Sequence, residues 1–303
     1  MSTRSMRRAA RRHLARLAAW AMPLFPERYS RAALGVVLSR APRLWGWTQG
    51  GDRRSAVMLA FESAFPSEDA ELFLSEMIPR RARALATSMT YMARYLAGRD
   101  SGFVGPLRPP LPDGRPCVIT YLHYAIDPVV QLVLLRDNTA RRFRWVVYPP
   151  PPNRPLRWED ERELYLAGGP IPTAVADTFL YVTRPSWLLE ARRHLNGGGD
   201  LLLALDSPID ARRGAGAQLR VGEASMPVSP AIDLLARDGA RLLFVWPEPQ
   251  PDQTWELRCE EFANTAAVAD AASRWIRDHR DYWAAWSGVA ARVPATTMRV
   301  DGE

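Results

Sequence analysis

The stretch PCVITYLHYAIDPVVQLVLLRDNTARRFRWVVYPP, residues 116–150, decides the fold. It opens on PCVITYLHY (116–124), an apolar run with β-branched and aromatic residues that reads as a short strand. Asp127 and Pro128 then open PVVQLVLLRD, which reads as a helix; proline suits its first position, where a backbone N–H has no partner to lose. RFRWVVYPP (142–150) returns to strand character. Strand, helix, strand is the unit from which parallel sheets are built.

Working outward, the same alternation continues. LLLALDS (201–207), ARLLFVWPE (240–248) and TWELRCEEF (254–262) read as strands. LRWEDERELYLAG, PSWLLEARRHLNG and SPAIDLLARDG read as helices between them. Upstream, residues 28–98 read as helical throughout: RAALGVVLSRAPRLWGW, RRSAVMLAFESAF, and a long segment from Ser67. Ser67 is the expected cap of that last helix, with Glu68 and Asp69 complementing its dipole, and Pro79 should kink or divide it. GFVGPLRPPLPDGRP reads as a proline-rich connector and PPPP at 149–152 as a stiff loop. The expected fold is α/β, a mostly parallel or mixed central sheet flanked by helices. Its N-terminal region is helical to about residue 100, in a single domain over 27–303.

Ahead of that domain, residues 1–26 carry a different pattern. At the helical repeat, Met6, Ala9, Ala10, His13, Leu14, Leu17, Trp20, Ala21 and Leu24 share one arc, and Arg7, Arg8, Arg11, Arg12 and Arg16 the opposite one. Such a helix either lies at the interface of an anionic membrane or packs on the domain. No run reaches the roughly 18 apolar residues that a membrane span needs. The net charge of +7 over 303 residues, carried by arginine, suits a partner bearing phosphate or carboxylate: nucleic acid, anionic lipid or an acidic carrier protein. Basic and aromatic residues are not interleaved as a stacking platform for nucleic acid requires, so no nucleic-acid partner is expected. Cys117 and Cys259 belong to no CxxC or Cys/His cluster, so neither a disulfide framework nor a metal site is expected.

The chain lacks a phosphate loop, HExxH, GxSxG and a GxGxxG after a strand. NGGGD (196–200) follows a helix and is expected to end it. Of the four histidines, His13, His194 and His279 read as structural or surface residues. His123 differs because it ends a strand, and sites in α/β sheets lie at the carboxyl ends of strands. A carboxylate on one imidazole nitrogen fixes the tautomer and leaves the other nitrogen to take a proton. Asp127, four residues on, is one candidate carboxylate. Asp206, at the end of LLLALD, is the second. With no suitably placed Ser or Cys nucleophile, direct attack by an acceptor is simpler than a covalent intermediate.

Several of these segments together resemble the bacterial lipid A biosynthesis (lauroyl/myristoyl) acyltransferases, within the wider lysophospholipid and glycerolipid acyltransferases. They are RRSAVMLAFESAFPSEDAE, TYLHYAIDP, VVYPPPPNRPL, LLEARRHLNGGGDLLLALDSPI, SPAIDLLARDGARLLFVWPE and RWIRDHRDYWAAWSGV. The resemblance implies a fatty acyl transfer from an acyl carrier protein or coenzyme A thioester to a hydroxyl or amine of a lipid or glycolipid. The thioester would be a co-substrate, with no bound cofactor. It also implies a peripheral place on the cytoplasmic face of the bacterial inner membrane, with His123 and an acid as the catalytic pair. Arg184, Arg192 and Arg193 flank the same region as candidate phosphate holders; Asn153 and Arg154 fall loosely on a family loop. The family usually has four residues between its His and acid; here Tyr124, Ala125 and Ile126 make three. A catalytically degenerate member that serves as a membrane-bound lipid-binding or partner subunit is the alternative.

Overall fold

The computed structural model describes residues 27–40, 53–96 and 104–289, apart from 148–178, 208–215 and a few isolated positions of the last stretch. The basic segment 1–26 and the expected helix at 156–168 lie outside the described residues. Among the described residues three helices come first: α1 (Glu27–Arg40), α2 (Arg53–Ala64) and α3 (Ala70–Leu96). There follow β1 (Val104–Arg108), β2 (Cys117–Tyr121), α4 (Asp127–Asp137), β3 (Phe143–Val147), β4 (Phe179–Tyr181), α5 (Trp187–Asn196) and β5 (Asp200–Ala204). The last third contains β6 (Gln218–Val221), β7 (Ala224–Pro227), α6 (Ala231–Ala236), β8 (Arg241–Pro249), β9 (Trp255–Phe262) and α7 (Thr265–Asp278).

Seven strands form one sheet in the order β1-β9-β8-β2-β5-β3-β4, and β6 with β7 makes a separate hairpin. Every neighbouring pair is parallel except β8 with β9. The chain is an α/β protein with a mixed, mostly parallel sheet and flanking helices. Central strands β2 and β5 are buried at every position, as a sheet covered on both faces demands. Phe61 and Met77 of the N-terminal helices belong to the same core as Ile119 and Leu202 of the sheet.

Local chemistry explains where the elements depart from expectation. β1 falls inside the stretch read as a connector; its Gly105 and Pro106 hide a strand, and they are tolerated because β1 is, among the described residues, an edge paired on one side only. α3 is capped by Asp69, whose Oδ1 accepts from Leu72 N at 3.0 Å, and not by Ser67. Pro79 sits within this single 27-residue helix and does not divide it. α5 ends at the glycines as expected: Gly198 takes φ +77, and Gly197, Gly198 and Gly199 donate to the carbonyls of Arg193, Leu195 and His194. The β6–β7 turn needs glycine for two reasons. Gly222 has φ +58, and a Cβ there would fall on the carbonyl of Ala64, which already accepts Glu223 N at 2.8 Å. The turn thus caps the end of α2.

Candidate active site

Parallel register brings the central pair together. In β2 and β5, Tyr121 pairs with Ala204. Two residues further along each strand, past its carboxyl end, stand His123 and Asp206. Continuing the register therefore sets one opposite the other, although 83 residues separate them in sequence. Leu205 N donates to Tyr121 O at 2.7 Å and keeps the two chains side by side over the gap.

His123 Nδ1 lies 2.7 Å from Asp206 Oδ1. Asp206 Oδ2 accepts from His123 N at 3.0 Å and from the indole Nε1–H of Trp283 at 2.7 Å. The Asp206 side chain is fully buried and that of His123 is 40% exposed, so the acid sits under the ring and the ring faces outward. Burial alone would raise the carboxyl's pKa. The charge of His123, the bonds from its ring and backbone N–H, and the Trp283 indole outweigh burial and hold Asp206 below the ordinary aspartate value. An ionised carboxylate only accepts hydrogen bonds, so a neutral His123 carries its proton on Nδ1. Nε2 is then the basic nitrogen, and Asp206 stabilises the imidazolium formed when it takes a proton. This geometry is able to act as a general-base dyad.

The other expected residues divide. Asp127 opens α4 behind Pro128's helical first turn, but its side chain is outside the description; the carboxylate on Nδ1 is that of Asp206. Arg184, Asn153 and Arg154 are also outside it. Arg192 lies in the last turns of α5, lining a cavity of about 330 Å³ with Pro116, Gly198 and Gly239, which precede β2, β5 and β8. That is the amino-terminal edge of the sheet. His123 stands at the other edge, a five-residue strand or roughly 16 Å away. Arg193 lines a second cavity of about 330 Å³ with Arg142, Arg144 and His194, beside the residues that precede β3 and β5. His194 Nε2–H donates to the carbonyls of Arg142 (2.9 Å) and Asp200 (3.1 Å), and His279 Nε2 meets Glu248 Oε1 at 3.2 Å. Burial pushes the thiols of Cys117 and Cys259 up to about 11 and about 12, so neither is a thiolate nucleophile at neutral pH.

Trp283 escaped the reading of the sequence. Its signal, the aromatic cluster RDYWAAW at 280–286, was visible, but nothing there points to an acid 77 residues upstream. The chain after α7 turns across the carboxyl edge of the sheet, where Trp283 bridges Tyr124 and Ala284 N donates to His123 O at 2.7 Å. Tyr124 in turn donates its hydroxyl to Val245 O at 2.9 Å, fixing the residue after His123 onto β8. Among the described residues no group of three or more His, Cys, Asp or Glu side chains is placed to hold a metal ion. Among them, too, no helix is long and apolar enough to cross a membrane. No protein-family model matches the chain, and no curated protein matches it either.

Proposed function

We propose that the chain transfers a fatty acyl group from a thioester to a hydroxyl or amine of a lipid or glycolipid acceptor, with His123 as general base and Asp206 as the acid that orients it. One observation carries the reading: a buried carboxylate on Nδ1 of an outward-facing histidine, at the carboxyl ends of two adjacent parallel strands. The reaction class comes from the resemblance of the segments around His123 and Asp206 to the lipid A acyltransferases. The absence of a reactive thiol at either cysteine suits direct attack. Acceptor oxygen or nitrogen adds to the thioester carbonyl as its proton passes to Nε2. The tetrahedral oxyanion then collapses, the C–S bond breaks, and the departing thiolate takes the proton back from the imidazolium.

An acyl carrier protein or coenzyme A is the donor, and the net charge of +7 favours the acidic carrier. A peripheral place on the cytoplasmic face of the bacterial inner membrane follows from the same resemblance and from the basic, amphipathic residues 1–26. The three-residue spacing to Asp127 is the ground for a degenerate, non-catalytic subunit. Because the ring is carried by Asp206, that spacing does not argue against catalysis. Mass spectrometry of lipid extracts tests the proposal: cells carrying the wild-type chain should contain an acylated lipid that cells carrying His123→Ala lack. An identical lipid profile in both would refute it.

A further inference from the structure

We propose that Trp283 is a positioning residue of the dyad: its indole N–H fixes Asp206 in the orientation that keeps His123 protonated at Nδ1, and the segment 279–286 ties that bond to the N-terminal helices. The proposal rests on the reading of His123 as the general base.

A carboxylate turns easily about its last bond, because that torsion is broad. In a dry interior its plane is set by the donors on it. Oδ1 has the imidazole; Oδ2 has His123 N at 3.0 Å and Trp283 Nε1 at the shorter 2.7 Å. Removing the indole N–H leaves the second oxygen with the longer bond alone.

Comparison within the molecule shows that this bond is not merely how a buried tryptophan is satisfied. Trp275 and Trp286 also lie in the core, and each donates to a backbone carbonyl at 3.1 Å. Trp283, with no exposed surface, instead gives its N–H to a carboxylate at a charge-assisted distance. The same stretch also grips the other half of the dyad, since Trp283 bridges Tyr124 and Ala284 N holds His123 O. One short segment therefore sets both the histidine backbone and the acid side chain.

What holds the segment is the helical region. Arg280 makes two bonds to Glu68, at 2.9 and 2.6 Å, and lies over the rings of Phe61, Phe65 and Phe73. Asp281 accepts from Arg80 at 2.7 Å through its side chain and from Arg81 Nε at 2.8 Å through its carbonyl. Helices α2 and α3, which provide no dyad residue, thus reach the acid through Trp283.

The test replaces Trp283 with Phe, which fills most of the ring's space without the N–H. In parallel, β-(3-benzothienyl)alanine at 283 keeps the full shape and lacks only the donor. With four histidines in the chain, nitrogen-15 NMR of the imidazoles identifies His123 by its loss in His123→Gln. Wild type should show His123 as the Nδ1–H tautomer at neutral pH; both variants should show a mixture and transfer acyl groups roughly ten- to a hundredfold more slowly. Trp187→Phe, a packing control at a buried tryptophan of α5 outside the segment 279–286, should lower the melting temperature and leave the tautomer alone. Should both Trp283 variants melt cooperatively and retain the wild-type tautomer, the proposal is overturned. A tautomer that shifts in a protein whose wild type consumes no thioester would instead refute the acyl-transfer reading and leave the positioning role standing.

Discussion

Asp206→Asn puts the dyad to a severe test because it changes charge and hydrogen count while keeping shape. The carboxylate accepts three bonds, one at Oδ1 from the imidazole and two at Oδ2 from His123 N and Trp283 Nε1. An asparagine has one accepting oxygen and one donating NH2. Placing the NH2 at Oδ2 would set it against two N–H donors. The amide oxygen must therefore take that place, and the NH2 comes to rest 2.7 Å from Nδ1 and donates to it. His123 then carries its own proton on Nε2, and the basic nitrogen is lost. Two of the three hydrogen bonds are kept and the third is reversed and loses its charge, so the fold should lose no more than about 1.5–3 kcal/mol, the worth of one charge-assisted bond. Acyl transfer should fall by about 10³–10⁴, the scale seen when an acid–histidine pair is locked in the wrong tautomer. Initial rates by mass spectrometry, with the folded fraction matched by circular dichroism, measure both. Activity within tenfold of wild type in a folded variant would refute the reasoning. The pH dependence has a defined sign as well. Because Asp206 sits below the ordinary aspartate value, its ionisation stabilises the fold above about pH 4 and that contribution disappears as pH falls through its lower folded value. The stability gap between wild type and Asp206→Asn should therefore shrink on acidification.

Three further outcomes follow from the same structure. Gly222→Ala forces a side chain into φ +58 and onto the carbonyl of Ala64, and should cost at least about 2 kcal/mol by urea denaturation without slowing the folded fraction. Arg141→Met strips a buried Asp200, 1% exposed, of two 2.6 Å bonds; a loss of about 3–5 kcal/mol is expected, with the His123 tautomer untouched at the far edge of the sheet. His194 is held below the ordinary histidine value chiefly by burial, with Arg144 and Arg142 adding to it against the pull of two carbonyls. Its neutral form is the one the fold prefers, so its contribution is full above about pH 6.5 and is lost as pH drops through the lower folded value. Melting curves from pH 7.5 to 5 should fall less steeply for His194→Gln than for wild type.

The sheet was legible because its strands are buried on both faces. CVITY and DLLLA are apolar at nearly every position, and no helix-length run competes with them. β1 was not, since an edge strand can hold glycine and proline that a central strand would refuse. Nor was the choice between Ser67 and Asp69 as cap, because both are short polar residues within three positions of the helix start and only the turn geometry separates them. At the site, His123 and Asp206 were readable as strand ends, a property of each strand taken alone. Their contact needed the register between β2 and β5, which no single segment contains. Trp283 lay further out of reach: its role depends on where the chain crosses the sheet edge after α7. Arg192 misled for the converse reason, being close to LLLALD in sequence but at the amino-terminal edge in space.

Base catalysis by His123 on a thioester is directly measurable. Purified full-length protein, incubated with a long-chain acyl thioester of acyl carrier protein or of coenzyme A and with vesicles of bacterial lipid extract, provides the direct measurement: acylated lipid formed per unit time, wild type against His123→Ala. Product is expected from wild type, with a loss of several orders of magnitude in the variant, both proteins being folded. Equal product from the two, or thioester turnover by wild type that His123→Ala leaves unchanged, would contradict it.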